Sequence, residues 1–198
     1  MIASPMPRKP GAVKPPPALK IPNRPTPPGK IPQRIMQPGI DDHLAVMSRA
    51  IFQAGLSWAF IEAHWPAFLE AFDRFSAERV AQYGEADLER LMETDGIVHS
   101  RKKIEATMKN ARTLRALATE YGSIEAYIAD FTDVDALFAD ARKRFAFLGD
   151  LSCYYWLFRT GGPVPTFEAW IARQNKDHAR MREMVMAGRA ANTSSERA

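Results

Sequence analysis

Twelve of the 15 prolines in this chain fall within its first 40 residues. Proline fixes φ and removes a backbone donor, so that segment can form neither a helix nor a central strand. It also offers few large apolar groups to bury. The expectation for residues 1–40 is a disordered or polyproline-II arm. The other 158 residues hold three prolines, Pro66, Pro163 and Pro165, and are free to run as helices. The arm has seven Lys/Arg and no Asp/Glu, while the remainder holds the other 20 Lys/Arg and all 23 Asp/Glu, a net charge of −3. The pI of 9.3 therefore belongs to the arm and does not describe a basic folded surface. Any affinity of the folded part for a polyanion must come from local clusters of cations.

Further bounds come from composition. A hydrophobic content of 46% suits one packed domain, placed at residues 41–189, with a small and polar tail at 190–198 that is expected to fray. The one cysteine, Cys153, excludes an intramolecular disulfide. No run of 18 apolar residues exists to span a membrane, and the N-terminus lacks the apolar core of a signal peptide. A cytoplasmic protein with no membrane association is expected.

Apolar residues recur at helical spacing throughout residues 41–189. Leu44, Met47, Ile51 and Ala54 mark a first helix, with Asp41 and Asp42 at its N-terminal end. Gly55 ends it, and Ser57 is placed to cap the next, whose stripe is Ile61, Trp65, Phe68 and Phe72; Pro66 is a point where it would kink or restart. Short helices are expected near 77–82 and 85–92. A long one follows from Ser100 to Tyr121, closed by Gly122. Thr132 with Asp135 reads as a capping box for a helix reaching Arg144. Further helices open at Asp150 and Thr166, and a last one covers 177–189. No alternating strand pattern stands out, so the expected class is all-α.

Two blocks carry chemistry. Gln53-Ala54-Gly55-Leu56-Ser57-Trp58 is a tight turn that sets an indole at a helix start. Later comes Asp95-Gly96-Ile97-Val98-His99-Ser100, followed by Arg101-Lys102-Lys103-Ile104 and by Asn110-Ala111-Arg112. An aromatic face near clustered cations suits a nucleotide and its phosphates. With Glu120-Tyr121-Gly122-Ser123, Tyr127, Phe131, Phe145-Ala146-Phe147-Leu148-Gly149 and Tyr154, these blocks resemble the type I 3-methyladenine DNA glycosylases of the helix-hairpin-helix superfamily. The resemblance runs from Asp42 to Thr160.

The resemblance implies a compact helical bundle of that superfamily and a substrate of damaged double-stranded DNA. It implies a monofunctional hydrolase that flips an alkylated purine, 3-methyladenine, and leaves an abasic site. By that resemblance Trp58 stacks on the flipped base; read alone, it is equally a core tryptophan at a helix start. Gln53 either bonds a base edge or satisfies the turn. Gly149 falls where the superfamily grips the DNA backbone, and Arg101, Lys102, Lys103, Arg142, Lys143 and Arg144 are phosphate contacts or solvated charges. A carboxylate is sought beyond the hairpin, where Glu168 stands; Glu62 and Asp42 are weaker options, and each is also an ordinary helix residue.

The chain departs from the pattern in three places. Ala50 occupies the position of the family's base-reading glutamate. The family's Tyr-His-Asp segment has no counterpart in the arm. The zinc ligands are missing apart from a possible echo in His178, so no metal and no cofactor are expected. Cys153 reads as a small buried hydrophobe. The leading expectation is thus a 3-methyladenine glycosylase acting as a monomer. Its rivals are a non-catalytic DNA-binding module, suggested by Ala50, and an interaction protein whose arm docks a partner domain.

Overall fold

The computed structural model describes residues 33–173 except Ser57, and of Glu168 only the backbone. Residues 1–32 of the arm, the cap expected at Ser57, the helix over 177–189 with His178, and the tail at 190–198 lie outside the described residues. The described part is all-α: α1 (Ile40–Gln53), α2 (Trp58–Ala71), α3 (Ala77–Gln82), α4 (Glu85–Glu93), α5 (Arg101–Tyr121), α6 (Ile124–Ala129), α7 (Val134–Arg144), α8 (Asp150–Arg159) and α9 (Phe167–Ala172), with a single 3-10 turn at Asp73–Phe75.

The long α5 organises the rest. Ile104, Met108, Ala111 and Leu114 are buried along one face, at the spacing that puts every third or fourth residue on one side. Around it pack α1, α3, α4 and α6, and α8 lies against α1 and α7. Gly122, at φ 88, ends α5 in a conformation that residues with a Cβ rarely adopt. Gly96, at φ 83, is constrained twice, because an added Cβ would lie 2.9 Å from Ala67 Cβ on α2. The segment leading into α5 is thereby drawn up against α2.

Pro66 sits inside α2 without interrupting it. An interior proline costs about 3 kcal/mol or more of helix stability. Aromatic packing on either side offsets that cost: Trp65 stacks on Phe75 at 5.0 Å and on Phe68 at 5.6 Å, and Phe52 meets Phe68 edge-on at 4.8 Å. The same stack explains the turn at Asp73, Arg74 and Phe75, all with φ between 50 and 57°. Phe75 is fully buried between Phe72 and Trp65, and Asp73 is held by the Tyr83 hydroxyl at 2.8 Å.

Two local features differ from the sequence reading. The cap of α7 is Asp133, which accepts from the N–H groups of Asp135 and Ala136, one residue after the Thr132 expected there. A carboxylate outcompetes a hydroxyl for two amides at once. The helix α6 was not anticipated, because six residues are too few to show a period; Ser123 caps it by accepting from Ala126 N. No helix of the described residues is long and apolar enough to cross a membrane.

Candidate functional site

A cleft opens where the end of α1, the start of α2 and the first turns of α8 meet. Ala50, Gln53 and Ala54 line one side, Trp58 another, and Leu151, Ser152 and Tyr155 the third, around a volume of about 40 Å³. Helical geometry brings these together: Ala50, Gln53 and Ala54 share a face of α1, and Leu151, Ser152 and Tyr155 share a face of α8. Trp58 is half-buried and meets Tyr155 nearly perpendicularly at 5.7 Å. The indole is therefore braced at one side while still contributing to the cleft wall. Both base-site residues singled out in the sequence, Trp58 and Gln53, stand here. So does Ala50, which is 7% exposed and presents a methyl group with no hydrogen-bonding capacity.

Polar groups form a shell behind this apolar lining. The buried Gln53 donates from Nε2 to Glu62 Oε1 at 3.1 Å. Glu62 Oε2 in turn accepts from Arg49 Nη1 at 3.2 Å, and the Arg49 guanidinium lies 4.2 Å over the Trp65 ring. On the opposite wall Arg159 Nη1 donates to the Tyr155 hydroxyl at 3.3 Å. Burial pushes the Tyr155 phenol up from its ordinary value, against the pull of Arg159, so it stays protonated at neutral pH.

Lys103 is placed differently from the sequence expectation. Its ammonium donates to the carbonyls of Phe52 at 3.1 Å and Ala54 at 2.8 Å, capping α1 and fixing the turn into Trp58. No basic residue in the last turn of α1 does this locally, so a cation from α5 supplies it. Burial pulls the Lys103 ammonium below its ordinary value. Arg101 is exposed and paired with Glu85 at 2.5 Å and Glu105 at 3.0 Å, while Lys102 is exposed beside it.

The hairpin between α7 and α8 is held from α5. Asn110 donates to the Ala146 carbonyl at 3.0 Å and accepts from the Ala146 N–H at 2.7 Å. Next to that clamp Phe147 stands 53% exposed with φ 57. Gly149 caps α8 at φ −73, and a Cβ there would meet no heavy atom within 4 Å. Neither conformation nor internal packing demands a glycine at that position. Lys143 is exposed, Arg144 is bound to Asp140 at 2.6 Å, and Arg142 pairs with Asp150 at the start of α8.

Glu168 lies in the first turn of α9, whose Thr166 cap accepts from Ala169 N. Phe167 and Trp170 pack on Tyr154, so α9 covers a face of α8 about a quarter-turn away from the cleft-lining face. Cys153 is buried, and burial pushes its thiol up to about 12, which leaves no thiolate at neutral pH. Among the described residues no group of His, Cys, Asp or Glu is arranged to hold a metal ion.

Sequence reasoning missed the clamps made by Lys103 and Asn110, although both stand in motif positions. Arg112 of the same motif is a third, donating to the carbonyls of Ala81 at 2.9 Å and Tyr83 at 2.6 Å. For Asn110, fully buried on the inner face of α5, a polar residue amid an apolar stripe is the signal that would have found it.

The methyladenine glycosylase family model matches residues 40–148, from the start of α1 to the hairpin. DNA-3-methyladenine glycosylase of Haemophilus influenzae is 26% identical over 130 residues, covering 55% of this chain and 70% of that protein. DNA-3-methyladenine glycosylase 1 of Escherichia coli is 40% identical over 60 residues, covering 30% of this chain and 32% of that protein. Among solved structures, 3-methyladenine DNA glycosylase I from Staphylococcus aureus matches with a TM-score of 0.56 and 29% identity, over 65% of this chain and 79% of that one.

Proposed function

Since the chain belongs to the methyladenine glycosylase family, we propose that it hydrolyses the N-glycosidic bond of 3-methyladenine in duplex DNA, as a base-excision repair enzyme. The observation that carries this reading is the cleft in which Trp58, Gln53 and Tyr155 converge beside the hairpin that opens α8. A flipped base needs a ring to stack on and a polar edge to read it. Trp58 supplies the first and Gln53 the second.

The chemistry asks little of the protein in proton transfer. A 3-methylated adenine is cationic while attached to the sugar. Cleavage of the C1′–N9 bond therefore returns the electron pair to a good, neutral leaving group. Water then adds to C1′ and loses a proton, leaving an abasic site. Glu168 is the carboxylate we assign to steadying the cationic sugar or accepting that proton. The protein's main contribution is to hold the extruded nucleotide and exclude alternative geometries.

Backbone grip falls to the start of α8. The positive dipole end of that helix suits a phosphate, and Gly149 lets the DNA backbone come close. Lys143 and Lys102 are solvent-facing cations suited to neighbouring phosphates. Arg144 and Arg101, each already paired with carboxylates, add less net charge. Lys103 belongs to the scaffold of the base turn and is removed from the phosphate contacts.

Incubating the protein with methylated duplex DNA and identifying released bases by mass spectrometry tests the reading. Release of 3-methyladenine is the expected result. Ala50 favours a second reading, a DNA-binding module without chemistry, and DNA binding with no released base would establish that instead.

A further inference from the structure

A carboxylate outside the cleft lining holds one of the residues that line it. Gln53 lines the cleft and is 3% exposed, and its amide nitrogen donates to Glu62 Oε1. Glu62 is held on its other oxygen by Arg49, which is itself laid over Trp65. An ionised carboxylate only accepts hydrogen bonds. The amide nitrogen of Gln53 must therefore face Glu62, and the flipped amide, oxygen towards oxygen, is forbidden. One N–H is used by Glu62. The carbonyl oxygen and the second N–H remain as an acceptor–donor pair.

That pair matches one base edge. A glutamine amide bonds adenine in two places, accepting from the N6 amino group and donating to N7. We infer that Arg49 and Glu62 lock Gln53 into the orientation that reads the N6–N7 edge of an adenine, so that the cleft selects 3-methyladenine over 3-methylguanine without a carboxylate at position 50. Guanine puts an O6 acceptor where adenine has its amino donor, and two acceptors would meet. Glu62 and Arg49 are positioning residues, and Gln53 is the contact. The inference rests on the glycosylase reading for its substrate, but the lock itself is a property of the free protein.

The test is the variant Glu62→Gln, assayed on duplex DNA carrying 3-methyladenine or 3-methylguanine. A neutral amide at position 62 donates as well as accepts, so Gln53 is satisfied in either orientation. The expected result is a fall of about tenfold in the ratio of 3-methyladenine to 3-methylguanine release, in a protein with a near-native melting temperature. A ratio within twofold of the parent overturns the lock, because a merely structural role would lower both rates together. The companion measurement is the NMR signal of the Gln53 side-chain amide as free 3-methyladenine is added to the unsubstituted protein. Perturbation of that signal by 3-methyladenine and not by 3-methylguanine supports the lock even if the protein releases no base, an outcome that would defeat the catalytic reading alone. No response from Gln53 to either base overturns the lock whatever the enzyme does.

Discussion

Lys103 and Asn110 stand two turns apart on one face of α5, and each fixes the backbone of a different half of the site. Lys103 holds the carbonyls of Phe52 and Ala54 at the turn into Trp58, and Asn110 holds both backbone groups of Ala146 at the hairpin. Seven residues of helix separate them by about 10 Å along the axis. One rigid rod thus sets the spacing between the cleft and the hairpin. If so, Lys103→Met should cost about 1–3 kcal/mol in urea denaturation, because it strands two carbonyls at the end of α1. The slope of DNA affinity against salt should stay unchanged for that variant, while Lys143→Ala should lower it by about one. A salt slope that drops equally for both would return Lys103 to the phosphate contacts.

Trp58→Ala tests the cleft directly. Stacking of a base on an aromatic ring is worth about 1–3 kcal/mol. Loss of the ring should reduce single-turnover base release by at least tenfold while affinity for undamaged duplex, set at the hairpin, changes little. Rapid-quench kinetics beside a gel-shift titration separate the two effects. An unchanged release rate would remove Trp58 from the pocket.

Gly149→Ala separates structural from functional demand for glycine. Its φ is −73 and a Cβ there would meet nothing within 4 Å. Stability should therefore move by less than about 0.5 kcal/mol, as for an ordinary surface change. DNA affinity should fall about tenfold, since the methyl group would stand between the α8 amides and a phosphate. An alanine variant that binds DNA normally would show that no backbone approaches this point.

His43 gives the fold a predictable response to acid. It is fully buried, accepts from Trp156 Nε1 at 2.9 Å through Nδ1, and so carries its proton on Nε2, 3.0 Å from Glu125. Burial lowers its pKa from 6.5, against the opposing influence of Glu125 and Asp42. The unfolded chain therefore takes up the proton first as pH falls. The contribution of neutral His43 is complete above pH 6.5 and is lost as the pH drops from 6.5 through the folded value. Urea midpoints followed by tryptophan fluorescence should fall between pH 7.5 and 5.5. In His43→Gln, which keeps an acceptor for the indole, the fall should be smaller. An equal fall in both proteins would place the acid response elsewhere.

Much of this architecture is legible in the residues, because helices announce themselves by period and glycines by turn. The stripe of α5 and its closure at Gly122 follow from local pattern, and the place of Trp58 at the cleft follows from the family resemblance of its turn. What local pattern does not carry is partnership across helices. Lys103 reads as one of three exposed cations until α1 is seen to end beside it. Glu62 reads as a solvated helix residue until Gln53 and Arg49 are found on its two oxygens. Charge is written in the sequence, but its partner is decided by packing. Helix α6 escaped for a different reason, since its stability comes from burying Ile124, Tyr127 and Ile128 and from one cap rather than from a repeated period.

Phe147 yields the last prediction. Its backbone is in the left-handed region, at φ 57, where a residue with a bulky side chain costs about 1–2 kcal/mol, and its ring is 53% exposed. The fold gains little from that ring, yet the Asn110 clamp on Ala146 and the buried side chains of Phe145 and Leu148 hold it at the hairpin tip. Asparagine adopts the left-handed conformation more readily than phenylalanine. Phe147→Asn should therefore raise the melting temperature or leave it unchanged. If the ring packs against the sugars of a bound duplex, the same variant should weaken DNA binding several-fold, with the salt slope intact because no charge is lost. Differential scanning calorimetry and fluorescence anisotropy on one preparation decide it. A variant that is both less stable and equally good at binding would mean that Phe147 serves the fold after all.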